Sequence, residues 1–260
     1  MTFSLGPRAA SAGYRLAAFD RIGSTNAEAL DRARGGERGP IWFVTSEQSA
    51  GRGRRLRPWI APRGNLACSV LEVVDVSPSV AATLGFAAGL ALLAALGSAG
   101  SDKMEFMLKW PNDVLADGKK LAGILLEAEA VGDRLAVVVG IGTNVIAAPD
   151  GTPMAATSLR TLGIELEAGQ LFASLSDAWT EFRGIWDEGR GFAGIRKNWL
   201  QHAAGLGRPV SILAGGSTVT GTFETIDEAG CMMVRTSDGG RMPISAGDVY
   251  FGAAASAGAA

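Results

Sequence analysis

Short apolar runs separated by Gly- and Pro-rich turns predict a series of β-strands in the first part of the chain. The segment between Gly118 and Val145 is expected to be a pair of long strands joined by a turn at Gly132-Asp133. The predicted strands are Tyr14–Phe19, Ile41–Glu47, Asn65–Val73, Met107–Trp110, Gly118–Glu129 and Leu135–Val145.

The turn between the apolar runs Met107–Trp110 and Leu121–Leu126 predicts a β-hairpin. Pro111 has no N–H for a ladder and restricts the residue before it to extended backbone, so the first strand should stop there. Asp117-Gly118 is a strong two-residue hairpin signal. The predicted hairpin carries Lys109, Asn112 and Asp113 at one end and Lys120 on the returning strand.

Strict alternation along the returning strand would place Lys120, Ala122 and Ile124 on one face. Leu121, Gly123 and Leu125 would then lie on the other face. A lysine that leads an apolar strand can simply be a solvated strand end. Alternatively, the two lysines and the Asn-Asp pair bracket an anionic ligand, and this segment alone leaves both interpretations open.

Helical periodicity predicts four helices between and after these strands. Thr25 and Glu28 are expected to form a capping box that opens a helix through about Ala33. The polar groups of Ser24, Thr25 and Asn26 then either cap this helix or bind a polar or anionic ligand at its N-terminus. Val80–Leu96 is apolar but shorter than the roughly 20 residues of a membrane span, so a buried core helix is expected. Further helices are predicted around Leu171–Trp186 and Phe192–Ala203.

From Arg208 onward the pattern changes to short strands broken by Gly and Asp, which predicts a small β-barrel of about 45 residues. The tail from Gly252 is rich in Gly, Ala and Ser and is expected to be disordered. The predicted barrel strands are Val210–Leu213, Val219–Glu224, Cys231–Thr236 and Arg241–Ile244.

Gly51–Trp59 contains four arginines, two glycines and a proline, a composition unsuited to a helix or a regular strand. Because arginine presents a planar fork to carboxylate or phosphate, a mobile loop that orders around an anion is predicted. Trp59 at its end could stack on a purine. A solvated basic turn or a local RNA contact is the alternative.

Composition excludes several classes of site. The chain has 24 Lys+Arg against 26 Asp+Glu, so it lacks the global basic field typical of nucleic-acid binding. The only histidine is His202, which argues against His-based metal sites and a Ser-His-Asp triad. Cys68 and Cys231 match no metal-ligand spacing and are expected to be reduced thiols in the cytosol. The N-terminus lacks the apolar region of a secretory signal.

Two nucleotide-binding motifs are also excluded. Gly140-Ile141-Gly142-Thr143-Asn144 is similar to a dinucleotide fingerprint, but it lacks the third glycine, and Pro149 follows where a helix should run. The sequence contains no Gly-x-x-x-x-Gly-Lys-Ser/Thr loop. Any nucleotide bound here is therefore not held by a P-loop.

Four ordered stretches together resemble the signature segments of biotin–protein ligases, and Ser24-Thr25-Asn26 and Gln48 match in order and spacing. The closing Ala246-Gly247-Asp248-Val249 resembles the end of that family's C-terminal barrel. The four stretches are Gly51-Arg52-Gly53-Arg54-Arg55, Lys109-Trp110-Pro111-Asn112-Asp113, Lys120-Leu121-Ala122-Gly123-Ile124-Leu125 and Gly142-Thr143-Asn144.

The resemblance covers nearly the whole chain and implies an α+β fold. The expected architecture is a class II aminoacyl-tRNA synthetase-like catalytic domain, a mixed β-sheet flanked by helices, followed by a small SH3-like β-barrel. We expect the catalytic biotin- and ATP-binding domain at 1–205, the SH3-like domain at 206–252 and a disordered tail at 253–260.

The implied activity is ATP-dependent attachment of biotin to a lysine of a biotin carboxyl carrier protein through biotinyl-5′-AMP. Mg²⁺ would be bound mainly through the ATP phosphates, with no dedicated protein metal site. No DNA or membrane partner is expected, the location is expected to be cytoplasmic, and a homodimer is compatible with the sequence.

By resemblance, Lys120 would contact both the biotin carboxylate and the α-phosphate, and Arg52 and Arg54 would close over the adenylate. Asp113 would lie near the metal or the incoming lysine. The ureido ring and carboxylate of biotin would be bound by Ser24, Thr25, Asn26 and Gln48. The groups facing ATP would be Lys109, Asn112, Trp59 and Asn144, and the glycines of the binding set are Gly51, Gly53 and Gly123.

Two departures from the family pattern bear on these expectations. Leu56 stands where the family usually has a third loop glycine, which should reduce the freedom of the loop. The chain begins almost directly with the catalytic domain, so the helix-turn-helix module and transcriptional role of repressor-type members are not expected.

Two other classes of protein remain alternatives. A lipoate–protein ligase shares the fold but lacks the Gly-Arg-Gly-Arg-Arg loop. A non-catalytic RNA-binding module would use the arginine loop and the barrel, and the near-neutral charge argues against it.

Overall fold

The structure is a computed structural model that describes residues 2–98, 104–152 and 154–251. The predicted disordered tail lies outside the described residues. The helices are α1 (Pro7–Ser11), α2 (Thr25–Arg34), α3 (Pro78–Ala82), α4 (Leu84–Ser98), α5 (Ala168–Trp186) and α6 (Phe192–Gln201). The first seven strands are β1 (Arg15–Phe19), β2 (Ile41–Thr45), β3 (Leu66–Val74), β4 (Phe106–Lys109), β5 (Asp113–Ala116), β6 (Lys119–Val131) and β7 (Arg134–Thr143). Five more follow: β8 (Pro209–Ala214), β9 (Ser217–Ile226), β10 (Met232–Arg235), β11 (Arg241–Ile244) and β12 (Asp248–Phe251).

The first seven strands form one mixed sheet in the order β1-β2-β3-β7-β6-β5-β4. β1 and β2 are parallel, and the other neighbouring strands pair antiparallel. The two longest strands, β6 and β7, pair from Ala122↔Thr143 to Val131↔Arg134 around the predicted Gly132-Asp133 turn. The α+β fold with a mixed sheet and flanking helices is confirmed.

The alternation of side chains along β7 separates the two faces of this sheet. Val137, Val139 and Ile141 belong to the large core that α4 and α5 complete. Ala136 and Val138 point the other way and pack under α2. The same parity puts Gly140 and Gly142 on the α2 face, farther along the strand. This face therefore has apolar side chains under α2 and bare glycines beyond it.

The Ala-rich segment that was predicted to be a core helix forms α3 and α4. Pro78–Ser98 is long and apolar enough to cross a membrane, and 67% of its most apolar window is buried inside the protein. This burial against the sheet and α5 agrees with the core-helix prediction.

The last five strands form an antiparallel sheet in the order β11-β10-β9-β8-β12. It contains the four strands that the Gly- and Asp-broken pattern predicted, plus β12, which pairs with β8. Its buried side chains, Val210, Ile212, Phe223, Met232 and Val249, join the main core. This sheet therefore shares one core with the seven-stranded sheet and its helices.

Two local predictions around α2 and the hairpin are wrong. The N-cap of α2 is Ser24, whose side chain accepts from the Ala27 N–H, so Thr25 is the first helical residue and not the cap of a Thr25/Glu28 box. The predicted hairpin is in fact a meander, because β5 begins at Asp113 and lies between β4 and β6. The Asp117-Gly118 turn joins β5 to β6, with φ of 49° and 68° as this turn type requires.

The strict alternation predicted from Lys120 onward is also wrong. Leu115 pairs with Lys120 and Val114 pairs with Ala122, so Leu121 is the extra residue of a β-bulge. Leu121 and Ala122 both enter the core. The bulge moves Lys120 onto the face of Gly123, where an added Gly123 Cβ would lie 3.4 Å from Lys120 Nζ. The catalytic candidate therefore faces the glycine side of the sheet.

Candidate active site

A cavity of about 790 Å³ lies over the glycine-bearing part of the sheet and reaches the C-terminal strands. It is lined by every predicted site residue except Gly51. Those lining residues are Ser24, Thr25, Asn26, Gln48, Arg52, Gly53, Arg54, Trp59, Lys109, Asn112, Asp113, Lys120, Gly123 and Asn144. Gly51 supports the wall: its carbonyl accepts from the Trp59 N–H, and a side chain there would lie 2.8 Å from Gln48 Nε2.

The floor of the cavity is formed by glycines because the backbone must be approached closely there. Gly123 and Gly142 are paired across β6 and β7, and the indole of Trp59 lies against both. A Cβ on Gly142 would be 2.5 Å from Trp59 Cε2, and one on Gly140 would overlap the side chain of Asn26. Trp59 Nε1 is buried and has no hydrogen-bond partner among the described residues.

The N-terminus of α2 forms one end of the cavity. Gln48 Oε1 accepts from the Thr25 N–H at 2.8 Å and from Thr25 Oγ1 at 3.1 Å, so its amide group is oriented by two donors. Ser69 Oγ lies 2.7 Å from Thr25 Oγ1 and 2.6 Å from Asn26 Oδ1. Ser24, Thr25 and Asn26 are all buried. These polar groups are therefore fixed in place, as a specific binding site for a small polar ring requires.

Lys120 is the best-anchored cation of the site. Its N–H donates to the Ala155 carbonyl at 2.8 Å, and its carbonyl accepts from the Thr157 N–H at 2.9 Å. Its Nζ lies 2.7 Å from Asp113 Oδ1 and 5.6 Å from the centre of the Trp59 ring. The ammonium is thus held above the floor before any ligand binds.

Lys109 is a second cation of the same cavity. Burial lowers the pKa of its ammonium below the ordinary 10.5, and the neighbouring Lys120 acts in the same direction. Its Nζ lies 3.3 Å from Met154 Sδ and 5.8 Å from the ring centre of Phe251. A desolvated ammonium with these soft neighbours favours an incoming anion.

The four arginines of the loop bond to two different parts of the protein. Arg52 pairs with Glu127 on β6, and Arg54 Nη1 donates to Asn112 Oδ1 at 3.1 Å, so both reach the cavity. Burial lowers the pKa of Arg54. Arg55 and Arg57 instead donate to Asp248 on β12. The loop therefore contacts the sheet on one side and the C-terminal unit on the other.

Leu56 occupies a backbone conformation that favours glycine, with φ of 58° and a side chain 85% exposed. Arg55 before it has φ of 55°. The side chain of Leu56 thus makes little contact while its backbone carries the cost of the left-handed region. A glycine at this position would avoid that backbone cost.

Asn112 and Asn144 are also fixed by hydrogen bonds to the backbone. Asn112 Nδ2 donates to the Ile124 carbonyl at 2.8 Å, and Asn144 Nδ2 donates to the Thr157 carbonyl at 3.1 Å. Asn144 Oδ1 is buried and has no hydrogen-bond partner in the part of the chain that the structure describes. It is therefore an available acceptor at this end of the site.

Several residues of the site were not found from the sequence. Met154, Asp248 and Phe251 line the cavity, and Glu127 lies behind its wall. Asp248 was part of a stretch recognised as the end of the barrel, but no pattern indicated that it reaches the arginine loop. Among the described residues there is no cluster of three or more His, Cys, Asp or Glu side chains that could hold a metal ion.

Comparison with known proteins identifies the family to which this arrangement belongs. Residues 18–144 match the Biotin/lipoate A/B protein ligase family, and residues 205–252 match the Biotin protein ligase C terminal domain. The chain is 40% identical over 239 residues to a "Biotin--[acetyl-CoA-carboxylase] ligase" of Paracoccus denitrificans, covering 89% of this chain and 98% of that protein. The chain belongs to the biotin–protein ligase family.

Other relatives agree with this assignment. A protein of the same name from Mycobacterium tuberculosis is 37% identical over 252 residues, covering 92% of this chain and 90% of the relative. The fold is similar to that of the biotin protein ligase of Aquifex aeolicus, solved in complex with biotin and ATP, with a TM-score of 0.76 and 24% identity. That match covers 92% of this chain and 99% of the Aquifex protein. The class II synthetase-like domain with a small C-terminal barrel, expected from the resemblance, is the fold of this family.

Proposed function

We propose that this chain attaches biotin to a specific lysine of a biotin carboxyl carrier protein, using ATP and forming biotinyl-5′-AMP as the intermediate. The observation that carries the proposal is the convergence of Arg52, Arg54, Lys109 and Lys120 on one glycine-floored cavity. The names of the curated relatives support biotin rather than lipoate as the substrate. The cavity volume of about 790 Å³ suits a small organic ligand joined to a nucleotide.

The buried polar end of the cavity is proposed to bind biotin. Thr25, Asn26 and Gln48 offer hydroxyl and amide groups to the ureido ring, together with Ser24 at the start of α2. The apolar ring and chain of biotin would lie beside the Trp59 indole, which covers Gly123 and Gly142. The carboxylate would then extend toward Lys120.

Lys120 is proposed to be the main catalytic group of the adenylation step. The biotin carboxylate attacks the α-phosphorus of ATP, a C–O–P bond forms, and pyrophosphate leaves with the electrons of the broken P–O bond. Lys120 neutralises the charge that is shared by the carboxylate and the α-phosphate. Because its backbone is anchored on both sides, little reorganisation is needed as this charge develops. Arg52 and Arg54 close over the product.

Lys109, Asn112, Trp59 and Asn144 are proposed to face ATP. The desolvated ammonium of Lys109 suits a polyphosphate, and Asn112 links this region to Arg54. Mg²⁺ would enter bound to the ATP phosphates, where it offsets their charge. Asp113 is a carboxylate on the cavity wall near which such an ion would fit.

The second step transfers the biotinyl group to the carrier lysine. The neutral amine of this lysine attacks the carbonyl carbon of the mixed anhydride, an amide bond forms as the C–O bond to AMP breaks, and the nitrogen loses one proton to water or to a nearby carboxylate. Asp113 is proposed to lie near this amine, and in the ligand-free protein it is paired with Lys120. Binding of an anion at Lys120 would break this pair and free the Asp113 carboxylate to contact the amine.

Biotin-dependent exchange of labelled pyrophosphate into ATP tests the first step directly. Exchange with biotin and none with lipoate is the expected result. Exchange that depends on lipoate, or no exchange with either acid, would contradict the proposal. Labelling of a carrier domain lysine then tests the second step.

We propose a boundary near residues 205–206 between the two units, a cytoplasmic location, and no DNA or membrane partner. The formal net charge of −2 supports the absence of a DNA partner. A homodimer is compatible with the sequence, and light scattering would measure the oligomeric state.

A further inference from the structure

Glu127 is a carboxylate that the proposed reaction does not use, yet it touches two residues of the site. It lies on β6 outside the cavity lining, and its side chain is 28% exposed. Asn26 Nδ2 donates to Glu127 Oε2 at 2.8 Å. Arg52 Nη2 lies 3.1 and 3.2 Å from the two carboxylate oxygens. The carboxylate is thus held from the α2 side and from the loop side.

The bonds to Glu127 and to the Leu125 carbonyl decide which end of the Asn26 amide faces the cavity. A carboxylate only accepts hydrogen bonds, so the NH₂ group of Asn26 must point toward Glu127. The second N–H donates to the Leu125 carbonyl at 3.2 Å, so both amide protons are used. Asn26 Oδ1 therefore lies next to Gly140, which lines the cavity, and accepts from Ser69 Oγ at 2.6 Å.

We propose that Glu127 is a positioning residue that makes Asn26 an acceptor for a ureido N–H of biotin. A carbonyl oxygen has two lone pairs, and Ser69 uses one of them. The other is free for a ligand N–H donor. A reversed amide would present an NH₂ group to that N–H and lose the bond. Glu127 therefore selects for the ureido ring without touching it. This inference rests on the proposed function, because it assigns a ligand to the same cavity.

The decisive variant is Glu127→Gln, which keeps the size of the side chain but can donate as well as accept. Only the longer bond to the Leu125 carbonyl, at 3.2 Å, then still requires the NH₂ end of Asn26, because the new amide at position 127 can also donate to Asn26 Oδ1. The two ligands to compare are biotin and biotin methylated at a ureido nitrogen, with both isomers tested. The wild-type protein should bind biotin at least about tenfold tighter than the isomer that is methylated at the ureido nitrogen facing Asn26. In Glu127→Gln the affinity for biotin should fall, and the ratio between the two ligands should shrink toward one.

Glu129→Gln is the matched control. Glu129 lies two residues farther along the same strand and face, and it pairs with Arg34 on the same helix, α2. Its loss should leave both affinities and their ratio unchanged. A purely structural role of Glu127 would weaken biotin and both methylated isomers by the same factor, and that result would overturn the proposal.

A second measurement needs no variant. The Asn26 side-chain amide protons of the wild-type protein should be protected from solvent exchange in NMR spectra, before and after biotin binds, because they bond to Glu127 and Leu125. Amide protons that become protected only with biotin would show that Asn26 donates to the ligand, and the assignment would be wrong. If the wild-type protein binds no biotin at all, the proposed function itself fails, which is a distinct outcome.

Discussion

Asp248 Oδ2 lies 2.7 Å from Arg57 Nη2, so a residue of the C-terminal sheet is bonded to the loop that covers the cavity. The same oxygen accepts from Arg55 Nη1 at 2.7 Å, and the Gly247 carbonyl accepts from Arg54. The carboxylate is 19% exposed, whereas the two arginine side chains are 43% and 58% exposed. The C-terminal unit therefore takes part in holding the loop closed.

Asp248→Asn should release the adenylate faster. Exposed ion pairs contribute about 0.2–1 kcal/mol, so we expect a two- to fivefold higher dissociation rate with little change in the rate of adenylate formation. The dissociation rate of the wild-type complex should rise with added salt more steeply than that of the variant, because salt screens these pairs. Stopped-flow release of biotinyl-AMP measures both. Asp238→Asn removes an exposed carboxylate in the turn between β10 and β11 and should leave release unchanged. Equal release rates for wild type and Asp248→Asn would contradict the role of this contact.

Leu56→Gly should leave biotin binding unchanged or make it tighter. From the sequence alone, the opposite is expected: a loss of about 0.5–1 kcal/mol because glycine has more freedom to lose on closure. Leu56 has a φ of 58°, and this left-handed region costs a non-glycine residue about 1–2 kcal/mol. Relief of this backbone cost offsets the entropy that glycine loses on closure. Calorimetry of biotin binding decides between the two. Binding weakened by the full entropic amount would show that the loop leaves this conformation in the complex.

The Leu56 example shows what the sequence can and cannot predict. Element positions, the glycine-bearing strands and the set of cavity residues follow from periodicity, turn signals and ordered motifs. The bulge at Leu121 does not, because it depends on how β5 pairs with β6. Strand β5 was not predicted for a similar reason: it is only four residues long and begins at Asp113, inside the turn signal itself.

Long-range contacts account for the other omissions. Asp248 is 191 residues from Arg57, and Glu127 is 101 residues from Asn26. Neither pair has a local spacing that could indicate contact. Only the packing of the C-terminal sheet and of α2 brings them together.

ATP binding should take up a proton at Lys109 in alkaline solution. Burial lowers the pKa of this ammonium below 10.5 in the free protein, and a polyphosphate beside it would raise that pKa again. Above the free-protein pKa, ATP therefore binds with proton uptake, and its affinity falls as the pH rises through that value. Calorimetry in two buffers of different ionisation enthalpy should give different apparent enthalpies. Lys109→Arg keeps the charge but should abolish the difference, because arginine stays protonated. Identical enthalpies for the wild-type protein would contradict the prediction.

Gly142→Ala should displace Trp59 and weaken binding of the adenylate. The new Cβ would lie 2.5–2.8 Å from three atoms of the indole ring, which cannot yield without moving as a whole. Overpacking of this kind typically costs about 1–3 kcal/mol, so a loss of about tenfold or more in affinity is expected. Gly85→Ala is the control, since no atom lies within 4 Å of an added Cβ there. Unchanged affinity in Gly142→Ala would mean that Trp59 leaves the floor when the ligand binds.

Lys120 and Arg54 are both cations of the cavity, but they are positioned differently. The backbone of Lys120 is bonded to Ala155 and Thr157, whereas Arg54 lies on the loop and reaches Asn112 across the cavity. Loss of a preorganised donor costs roughly 2.7–4 kcal/mol, so Lys120→Gln should lower the adenylation rate about a hundred- to a thousandfold while biotin binding stays measurable.

Arg54→Gly should act mainly on retention of the intermediate, because much of the interaction energy of a loop residue offsets the ordering of that loop. The variant should still form biotinyl-AMP but release it, so that lysines of an unrelated protein become biotinylated. Single-turnover adenylate formation, measured beside this bystander labelling, separates the two variants. If Arg54→Gly loses adenylation as completely as Lys120→Gln, the loop belongs to the catalytic apparatus itself, and its contact with Asn112 is the first place to look for the reason.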